Sequence, residues 1–337
     1  MNPAASVRLG DGLTVSPLGF GGMALTQVYG DVDQAEALKT LHHAVDSGVS
    51  FIDTADIYGG GSNEELIAQL LRKRRSEVQL ATKFGLVGNP AEGYRDIRGE
   101  AAYVKQAVDR SLRRLGTDTI DLYYMHRRDL RVPIVETVEA MAELVQQGKV
   151  RHLGLSEVTA NELREASSIH PIAAVQSEWS IWSRDVERNV VAAAAELGVG
   201  FVPYSPLGRG FLTGTVDASK LDSKDFRRNI PRFAEDAAEA NRGVVAAVQA
   251  VAAELTVSGQ AATPAQVALA WLLAQGRRLG LPVVPIPGTR KAHRIDENLG
   301  ALTLNFATTQ LDRLDAAADA VVGSRSADPA WVSEGRE

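Results

Sequence analysis

Short runs of apolar residues alternate along the chain with longer segments in which apolar residues recur at helical spacing. The short runs are rich in Val, Ile, Leu and Phe, which is typical of parallel strands that are buried on both faces. They lie at 17–21, 49–53, 78–83, 120–126, 150–155, 173–177, 199–204 and 282–287. The periodic segments predict amphipathic helices, among them 34–47, 101–115, 134–147 and 184–197.

Eight strands that are each followed by a helix predict a (β/α)8 barrel, and such barrels usually take about 250 residues plus insertions. A doubly wound sheet shares the alternation, but no G-x-G-x-x-G motif opens its first strand–helix turn. Outside the eight units, 7–16 predicts a β-hairpin that plugs one end of the barrel, and 308–321 predicts an extra helix. The polar stretch 213–236 predicts a long loop at the barrel mouth. Because no linker divides the chain, we expect residues 1–337 to form a single domain.

Three residues stand where helix N-caps belong, namely Asp33, Ser62 and Thr159. Ser62 is followed three residues later by Glu65, which is the spacing of a capping box. The basic run at 72–75 closes a predicted helix, where cations are favoured by the helix dipole.

Composition removes several classes of function. The 337 residues are 45% hydrophobic and 23% charged, with a net charge of −6 and dispersed basic residues, so we expect no nucleic-acid partner. The absence of cysteine excludes disulfides and thiolate zinc sites, and we expect no metal. Neither a signal peptide nor an apolar run of about 18 residues stands out. These features predict a cytoplasmic protein with no membrane partner.

Candidate chemistry collects at the ends of three successive predicted strands. Asp53 ends the second strand with Tyr58 five residues later, Lys83 ends the third, and His126 ends the fourth. Each residue alone is more often a cap, a solvated charge or a packing group. Because catalytic groups of such barrels come from the carboxyl ends of several strands, the four together predict a site.

The combination of residue types suits protonation of a carbonyl oxygen. A phenol keeps its proton at neutral pH because its pKa is about 10. A lysine cation beside Tyr58 favours the phenolate and lowers that pKa, and Asp53 supplies a counter-ion for Lys83. His126 can hydrogen-bond the same oxygen. The hydride must come from a cofactor, which predicts a nicotinamide.

Two segments late in the chain have features of a dinucleotide site. The stretch 202–214 pairs Tyr204 with a Ser/Gly-rich turn, and 286–302 opens a helix whose N–H groups favour phosphate. Arg290, Lys291 and Arg294 add the positive charge that a 2′-phosphate needs.

These residues resemble the aldo-keto reductase superfamily over nearly the whole chain. The motifs are FIDTADIYGGGSNEELIAQLL, ATKFG, DLYYMHRRD, GKVRHLGLSE, VQSEWS, PYSPLGRGFLTG and IPGTR. The likeness is greatest to the microbial and plant reductases of broad specificity, near the pyridoxal reductases. It implies a barrel without a Rossmann domain, NADP(H) extended across the mouth, Tyr58 as the acid, Lys83 and Asp53 as its tuning pair, and His126 as the group that orients the carbonyl.

The resemblance also implies the cofactor contacts. Around the nicotinamide it places Gly22, Met23, Ser156, Gln176 and Tyr204. At the pyrophosphate it places Ser205, Leu207, Gly208 and Arg209. At the adenosine and its 2′-phosphate it places Gly288, Thr289, Arg290, Arg294, Glu297 and Asn298. Glu157 departs from the family, in which many members have Asn after the Ser that ends strand five, and is left out of the carboxamide site.

The expected substrate is a small-molecule carbonyl compound. Met23, Tyr29, Phe84, Trp179 and Trp182 are candidates for an apolar wall, although core packing is an equal alternative for each. Arg127 can meet an anionic substrate or pair with Asp129. The polar tail 324–337 is expected to close the pocket less than in other branches.

The leading hypothesis is therefore an NADPH-dependent reductase of aldehydes, with ketones as a further class. A cofactor-sensing subunit with little turnover is the alternative, and co-purifying cofactor that no carbonyl oxidises would favour it. A phosphate-ligand isomerase on the same fold would explain the IPGTR motif but not the four polar residues.

Overall fold

The computed structural model describes residues 6–89, 94–223 and 225–337. Its strands, numbered in chain order, are β1 Val7–Arg8, β2 Thr14–Val15, β3 Phe20–Gly21, β4 Phe51–Asp53, β5 Gln79–Phe84, β6 Leu86–Asn89, β7 Tyr94–Ile97, β8 Ile120–Met125, β9 Val150–Ser156, β10 Ile172–Glu178, β11 Gly200–Tyr204, β12 Thr256–Val257 and β13 Gln260–Ala261. Its α-helices are α1 Gln34–Asp46, α2 Ser62–Arg74, α3 Ala101–Leu115, α4 Ile134–Gln146, α5 Ala160–Ile169, α6 Val190–Leu197, α7 Glu235–Ala240, α8 Arg242–Glu254, α9 Pro264–Leu279, α10 Ala292–Gly300 and α11 Thr308–Ala318.

A parallel barrel forms the centre of the molecule, which confirms the predicted (β/α)8 fold. Seven strands lie side by side in the order β3, β4, β5, β8, β9, β10 and β11, and every neighbouring pair is parallel. Residues 282–287 fill the eighth position, as the sequence predicts. They close the ring through backbone hydrogen bonds to both neighbouring strands. On one side the N–H groups of Val284 and Ile286 donate to the carbonyl oxygens of Phe201 (2.9 Å) and Pro203 (3.1 Å). On the other side the N–H groups of Gly19 and Gly21 donate to those of Pro285 (2.9 Å) and Pro287 (3.3 Å).

The eighth segment is not a regular strand because half of its six residues are prolines, at 282, 285 and 287. A proline has no backbone N–H to donate, so a continuous ladder cannot form there. The closure therefore consists of a single bridge, between Phe201 and Val283, and of separate hydrogen bonds at the other positions.

The predicted plug is confirmed at the lower end of the barrel. β1 and β2 pair antiparallel, and Leu9, Leu13 and Val15 join the apolar cluster inside the barrel. A Cβ on Gly10 would lie 2.8 Å from two backbone carbonyl oxygens, those of Gly198 and Ile172, so the hairpin approaches the strand starts as closely as glycine allows. The mouth at the other end is left for the loops that follow the strands.

Two of the three predicted N-caps are confirmed. The Asp33 carboxylate accepts from the second and third N–H groups of its helix, at 2.8 and 3.2 Å. Thr159 and Glu162 form a reciprocal capping box. The prediction for Ser62 is wrong, because Ser62 is the first helical residue and Gly61, at φ 104°, is the cap. The Ser62 hydroxyl donates instead to a carbonyl oxygen of the preceding turn, at 2.9 Å.

Several segments differ from the sequence-based expectation. The predicted helix 184–197 is divided into a 3-10 turn, Asp185–Arg188, and α6. The β6–β7 hairpin was not predicted. The stretch 213–236 carries three short 3-10 turns and the start of α7, so it has local structure of its own. Within the described ranges, no helix combines the length and apolar character that a membrane crossing needs.

Truncating the plug should reduce stability without altering the mouth. Leu9 is 2% exposed and packs against the start of β11, so Leu9→Ala should lower the free energy of unfolding by about 2–4 kcal/mol. Urea unfolding measures this loss. Leu197→Ala, at a residue 38% exposed, is the matched control and should cost less than about 1 kcal/mol. Equal losses in the two variants would show that the hairpin does not contribute to the core.

Candidate active site

Four polar side chains meet above the carboxyl ends of β4, β5 and β8. The Lys83 ammonium is fully buried, bonds the Asp53 carboxylate and donates to the Thr54 carbonyl oxygen at 2.7 Å. It lies 5.1 Å from the centre of the Tyr58 ring, which in turn meets the His126 ring edge to face at 5.9 Å. The structure thus brings together all four residues that the strand-end pattern singled out.

A tight turn after β4 carries Tyr58 to this position. Within the turn Tyr58–Gly61, three consecutive glycines have φ between 59° and 104°, a region that glycine enters at little cost. Asn63 in the following helix fixes the turn from behind, since its amide accepts from the Thr54 hydroxyl at 2.6 Å and donates to the Gly22 carbonyl oxygen at 3.0 Å. Sequence reasoning missed Asn63, because an early helical Asn gives no signal of its long-range partners.

The electrostatics keep the phenol protonated and the lysine charged. Burial raises the pKa of Tyr58, and the nearby Lys83 charge opposes that rise without cancelling it. Burial also opposes the charge of Lys83, but Asp53 and Tyr58 outweigh it and leave the lysine pKa raised. Burial, followed by the charges of Arg127 and Lys83, lowers the pKa of His126 well below its usual value. The imidazole is therefore neutral, and its buried Nδ1 has no hydrogen-bond partner within the described structure.

Three of the predicted nicotinamide contacts lie around the same mouth. The Gln176 amide donates to Asp53 at 2.9 Å, and the Ser156 hydroxyl accepts from Arg127 at 3.3 Å. Tyr204 ends β11 and is half-buried. Gln176 is thus joined to the four-residue cluster by a direct hydrogen bond, and Ser156 is joined to it through Arg127, which also bonds the His126 carbonyl oxygen.

Gly22 and Met23 begin the turn that follows β3, Gly22–Leu25. Gly22 is buried, and a Cβ there would lie 2.7 Å from the Asp53 carbonyl oxygen. Met23 is half-buried. Close packing of this turn on β4 places it at the edge of the mouth.

The turn after β11 has the backbone of an anion site. Ser205, Gly208, Arg209 and Gly210 all have φ between 49° and 92°, and Leu207 lies within the same turn. Turns with residues in the left-handed region direct N–H groups into a concave surface that favours anions. The Arg209 side chain reaches across the mouth to the Tyr29 hydroxyl at 3.3 Å.

The segment after the eighth strand position packs on the first. Gly288 has no room for a side chain, since a Cβ would lie 2.6 Å from the Gly21 carbonyl oxygen. Thr289 and Asn298 are buried and Glu297 is half-buried, whereas Lys291 and Arg294 are exposed at the start of α10.

Arg290 is held by backbone groups of the mouth, and its predicted contact with the cofactor stays a prediction. Its guanidinium donates to three carbonyl oxygens in the loop after β3: Ala24 at 2.9 Å, Asp31 at 2.8 Å and Thr26 at 3.3 Å. Arg290 therefore ties two loops of the mouth together. The exposed Lys291 and Arg294 are the cations of this segment that face solvent.

Two residues predicted for the substrate wall do not reach the mouth. Phe84 is 0% exposed and stacks on Tyr123 at 5.0 Å, on the helix-facing side of the barrel. Trp179 is also 0% exposed and packs edge to face against Phe201 and Trp271. These two assignments are corrected to core packing. Side chains alternate along a strand, so the inward position of Lys83 sends Phe84 outward.

The Arg127 side chain occupies the mouth, and of its two alternatives the pairing with Asp129 is not formed. Its guanidinium donates to the His126 carbonyl oxygen at 2.7 Å and to Ser156, while Asp129 pairs with Arg131 at 2.9 Å. The Arg127 Nε is buried without a partner within the described residues. The Trp331 ring lies over this guanidinium at 5.6 Å.

The C-terminal segment therefore lies on the mouth, contrary to the expectation that it leaves the pocket more open. Its attachment point is Glu157, which is 0% exposed and has φ 52°. The Glu157 carboxylate accepts from Arg325 at 2.8 and 3.0 Å, from the Ser333 N–H at 2.9 Å, from the Ser333 hydroxyl at 3.1 Å, from the Tyr204 hydroxyl at 2.7 Å and from the Glu178 N–H at 3.2 Å.

With this geometry established, comparison with known proteins defines the class. The model of the aldo/keto reductase family matches residues 17–319, so the chain belongs to that family. It is an oxidoreductase, and its family reduces carbonyl groups with a nicotinamide cofactor.

Individual relatives support the same assignment. A probable aldo-keto reductase from Glycine max is 42% identical over 310 residues, which covers 90% of this chain and 86% of the relative. A glycerol dehydrogenase from Gluconobacter oxydans has a similar structure, with a TM-score of 0.83, 26% identity and coverage of 98% of this chain and 99% of that one. The structure of an aldo-keto reductase from Bacillus halodurans in its holo form is also similar, with a TM-score of 0.74 and 27% identity. The match covers 96% of this chain and 99% of that one.

A buried carboxyl between Asp53 and Tyr58 makes stability depend on pH. Burial, reinforced by Glu64, raises the pKa of Asp56 to about 7, although Arg110 and Arg114 oppose the shift. The folded state therefore holds this proton more tightly than the unfolded chain, whose Asp has a pKa of about 3.9. Stability from this group is greatest at low pH and is lost as pH rises from about 4 to about 7.

Asp56→Asn should remove that dependence. Relative to wild type, the free energy of unfolding of the variant should rise by about 2–3 kcal/mol between pH 5 and pH 8, as measured by urea unfolding. Asp236→Asn, an exposed position, is the matched control and should follow the wild-type curve at both pH values. A constant difference between Asp56→Asn and wild type would contradict the buried proton.

Proposed function

We propose that the protein reduces aldehydes, and ketones as a second class, to alcohols with NADPH. The observation that carries this proposal is the fully buried Lys83 ammonium between the Asp53 carboxylate and the Tyr58 phenol at the barrel mouth. An arrangement that holds a charged amine beside a protonated phenol is suited to proton transfer onto a developing alkoxide.

In the proposed mechanism, Tyr58 donates its proton to the carbonyl oxygen, and His126 orients that oxygen. A bound nicotinamide cofactor would supply the hydride that adds to the carbonyl carbon. The phenolate left on Tyr58 is stabilised by the Lys83 charge, and the half-buried ring can regain a proton from solvent. The neutral imidazole of His126 can donate a hydrogen bond without adding a second cation beside Lys83.

The mouth offers a matching set of groups for the cofactor. The left-handed turn at 205–210 and the start of α10 are two backbone sites that favour phosphate. We place the nicotinamide against Tyr204, with Ser156 and Gln176 at its carboxamide and Gly22 and Met23 at its edge. Further along we assign the pyrophosphate to Ser205, Leu207, Gly208 and Arg209, and the adenosine to Gly288, Thr289, Arg294, Glu297 and Asn298.

The direction of the reaction depends on which cofactor form dominates. With excess oxidised cofactor the reaction can run in reverse: the nicotinamide would accept a hydride from the alcohol carbon, and the Tyr58 phenolate would receive the hydroxyl proton. The similarity to a glycerol dehydrogenase supports testing small polyols in this direction.

Removal of the phenol hydroxyl tests the assignment of the acid. Tyr58→Phe should lower kcat by about 10²–10⁴-fold while NADPH affinity stays within a few-fold of wild type. The assay follows loss of NADPH absorbance with aromatic aldehydes, methylglyoxal, pyridoxal and several ketones. Near-wild-type turnover by the variant would rule out Tyr58 as the proton donor. Tight NADPH binding by the wild type without turnover on any carbonyl would favour a cofactor-sensing subunit.

Cofactor preference tests the adenosine end. Arg294 is exposed and free to meet a 2′-phosphate, so Arg294→Ala should weaken NADPH about ten-fold and leave NADH nearly unchanged. Arg290→Ala is the comparison variant, because Arg290 ties the loop after β3 to the barrel and its loss should weaken both cofactors alike. Fluorescence titration gives the four Kd values. Equal losses of NADPH and NADH in Arg294→Ala would contradict the assignment.

A further inference from the structure

Glu157 lies at a position that the sequence left without a role. Many family members have Asn there, but the Glu157 side chain is completely buried and its carboxylate faces the C-terminal segment rather than open space. Its backbone adopts φ 52°, which is unusual for a residue with a side chain and persists only where surrounding contacts hold it. The contacts that hold it come from residues far along the chain.

Arg325 is the main partner, and it is as buried as the carboxylate. The Arg325 side chain is 1% exposed and that of Glu157 is 0% exposed. Two guanidinium nitrogens bond the two carboxylate oxygens. Arg325 also bonds Asp185 at 2.8–3.1 Å, which gives the guanidinium a second carboxylate. Removing Arg325 would leave the buried Glu157 carboxylate without a cation, and removing Glu157 would leave Arg325 with Asp185 alone, so the segment that carries Arg325 is firmly attached.

Further contacts extend the attachment along the tail. Ser333 donates to Glu157 through both its N–H and its hydroxyl. Arg336 donates to the Glu157 carbonyl oxygen at 2.5 Å and reaches Glu162 at 3.3 Å. The segment 325–337 is therefore fixed to one residue at three points of its length.

The attachment places an aromatic ring beside the reacting groups. Trp331 lies between the first and second attachment points, and its half-buried ring is 4.1 Å from the Arg95 guanidinium and 5.6 Å from that of Arg127. Arg127 in turn donates to the His126 carbonyl oxygen at 2.7 Å. Only one residue thus separates Trp331 from the cluster around Tyr58.

The same carboxylate meets the other side of the mouth. The Tyr204 hydroxyl donates to it at 2.7 Å. Glu157 therefore touches both the ring assigned to the nicotinamide and the segment that carries Trp331.

We propose that Glu157 and Arg325 form a buried clasp that positions the segment 325–337, so that Trp331 forms a wall of the substrate site above Arg127. Glu157 and Arg325 are positioning residues, and Trp331 contacts the substrate. The substrate-binding part of this inference rests on the proposed carbonyl reductase function, whereas the clasp itself can be tested without turnover.

Trypsin reports whether the clasp holds. In the wild type the Arg325 side chain is buried, so the bond to Ser326 should resist cleavage of the native protein. Glu157→Gln keeps an oxygen that can accept from Tyr204 but removes the negative charge opposite Arg325. Mass spectrometry should then show a released peptide that begins at Ser326. Resistance of the variant equal to that of wild type would overturn the clasp.

A matched control separates the clasp from general loss of an ion pair. Glu254→Gln removes the carboxylate of a two-pronged pair with Arg313 on the exposed surface, at 2.7 and 2.5 Å. This variant should remain resistant at Arg325. Release of the same peptide from both variants would mean that the cleavage reflects global opening, and it would contradict the proposal.

Steady-state kinetics test the substrate wall, using the aldehyde that the wild type reduces fastest. Trp331→Ala, at a half-buried position, should raise KM about ten-fold, with kcat changed less than about three-fold and NADPH Kd unchanged. Glu157→Gln should raise KM to a similar extent. The KM of the double variant should match that of Glu157→Gln within about two-fold. Once the segment is released, Trp331 no longer contacts the substrate, so its removal has no further effect.

Two outcomes would overturn the wall. The first is an unchanged KM in Trp331→Ala, and this result can be obtained even if Glu157→Gln fails to fold. The second is multiplication of the two effects in the double variant, which would mean that Glu157 acts through another route. If the wild type reduces no carbonyl, the proposed function fails, while the trypsin experiment still decides whether the clasp exists.

Discussion

The buried ion pair between Lys83 and Asp53 is the interaction on which the rest of the mouth depends. A lysine with no exposure can stay charged only if a carboxylate compensates it, and Asp53 does so from the neighbouring strand. Gln176 holds the other oxygen of that carboxylate, and Tyr58 is brought to the ammonium by a turn of three left-handed glycines. Three strands and one turn therefore have to keep their register for the phenol to remain beside the charge.

Glu157 is another buried carboxylate of the mouth, and its role differs from that of Asp53. Asp53 compensates the charge of Lys83, which belongs to the barrel. Glu157 compensates the charge of Arg325, which belongs to the C-terminal segment. Burying an ion pair often adds little net stability compared with apolar packing. A carboxylate with five hydrogen-bond donor groups and a left-handed backbone is thus better explained by the position that it imposes on its partners than by stability.

The sequence was informative where the structure is local or periodic. Alternating apolar runs located all eight strand positions, and strand ends located Asp53, Lys83 and His126, because in a parallel barrel every strand end faces the same side. Phe84 was misplaced although the strand alternation contained the answer, since an inward Lys83 requires an outward neighbour. The partnership of Glu157 with Arg325 could not be predicted, because 168 residues separate them and neither has a distinctive local pattern.

The two carboxylates, Asp53 and Glu157, also hold in place two different parts of the chain at the site. The groups to which we assign proton transfer lie on or directly after β4, β5 and β8, whose positions are fixed by the barrel. The Trp331 ring, which lies over Arg127, belongs to a segment held chiefly through Glu157. Because the segment can change between its attachment points without disturbing Lys83, substrate range can vary while the proton-transfer chemistry stays the same. On our proposals, the barrel determines the reaction, and the attached C-terminal segment determines which substrates can bind.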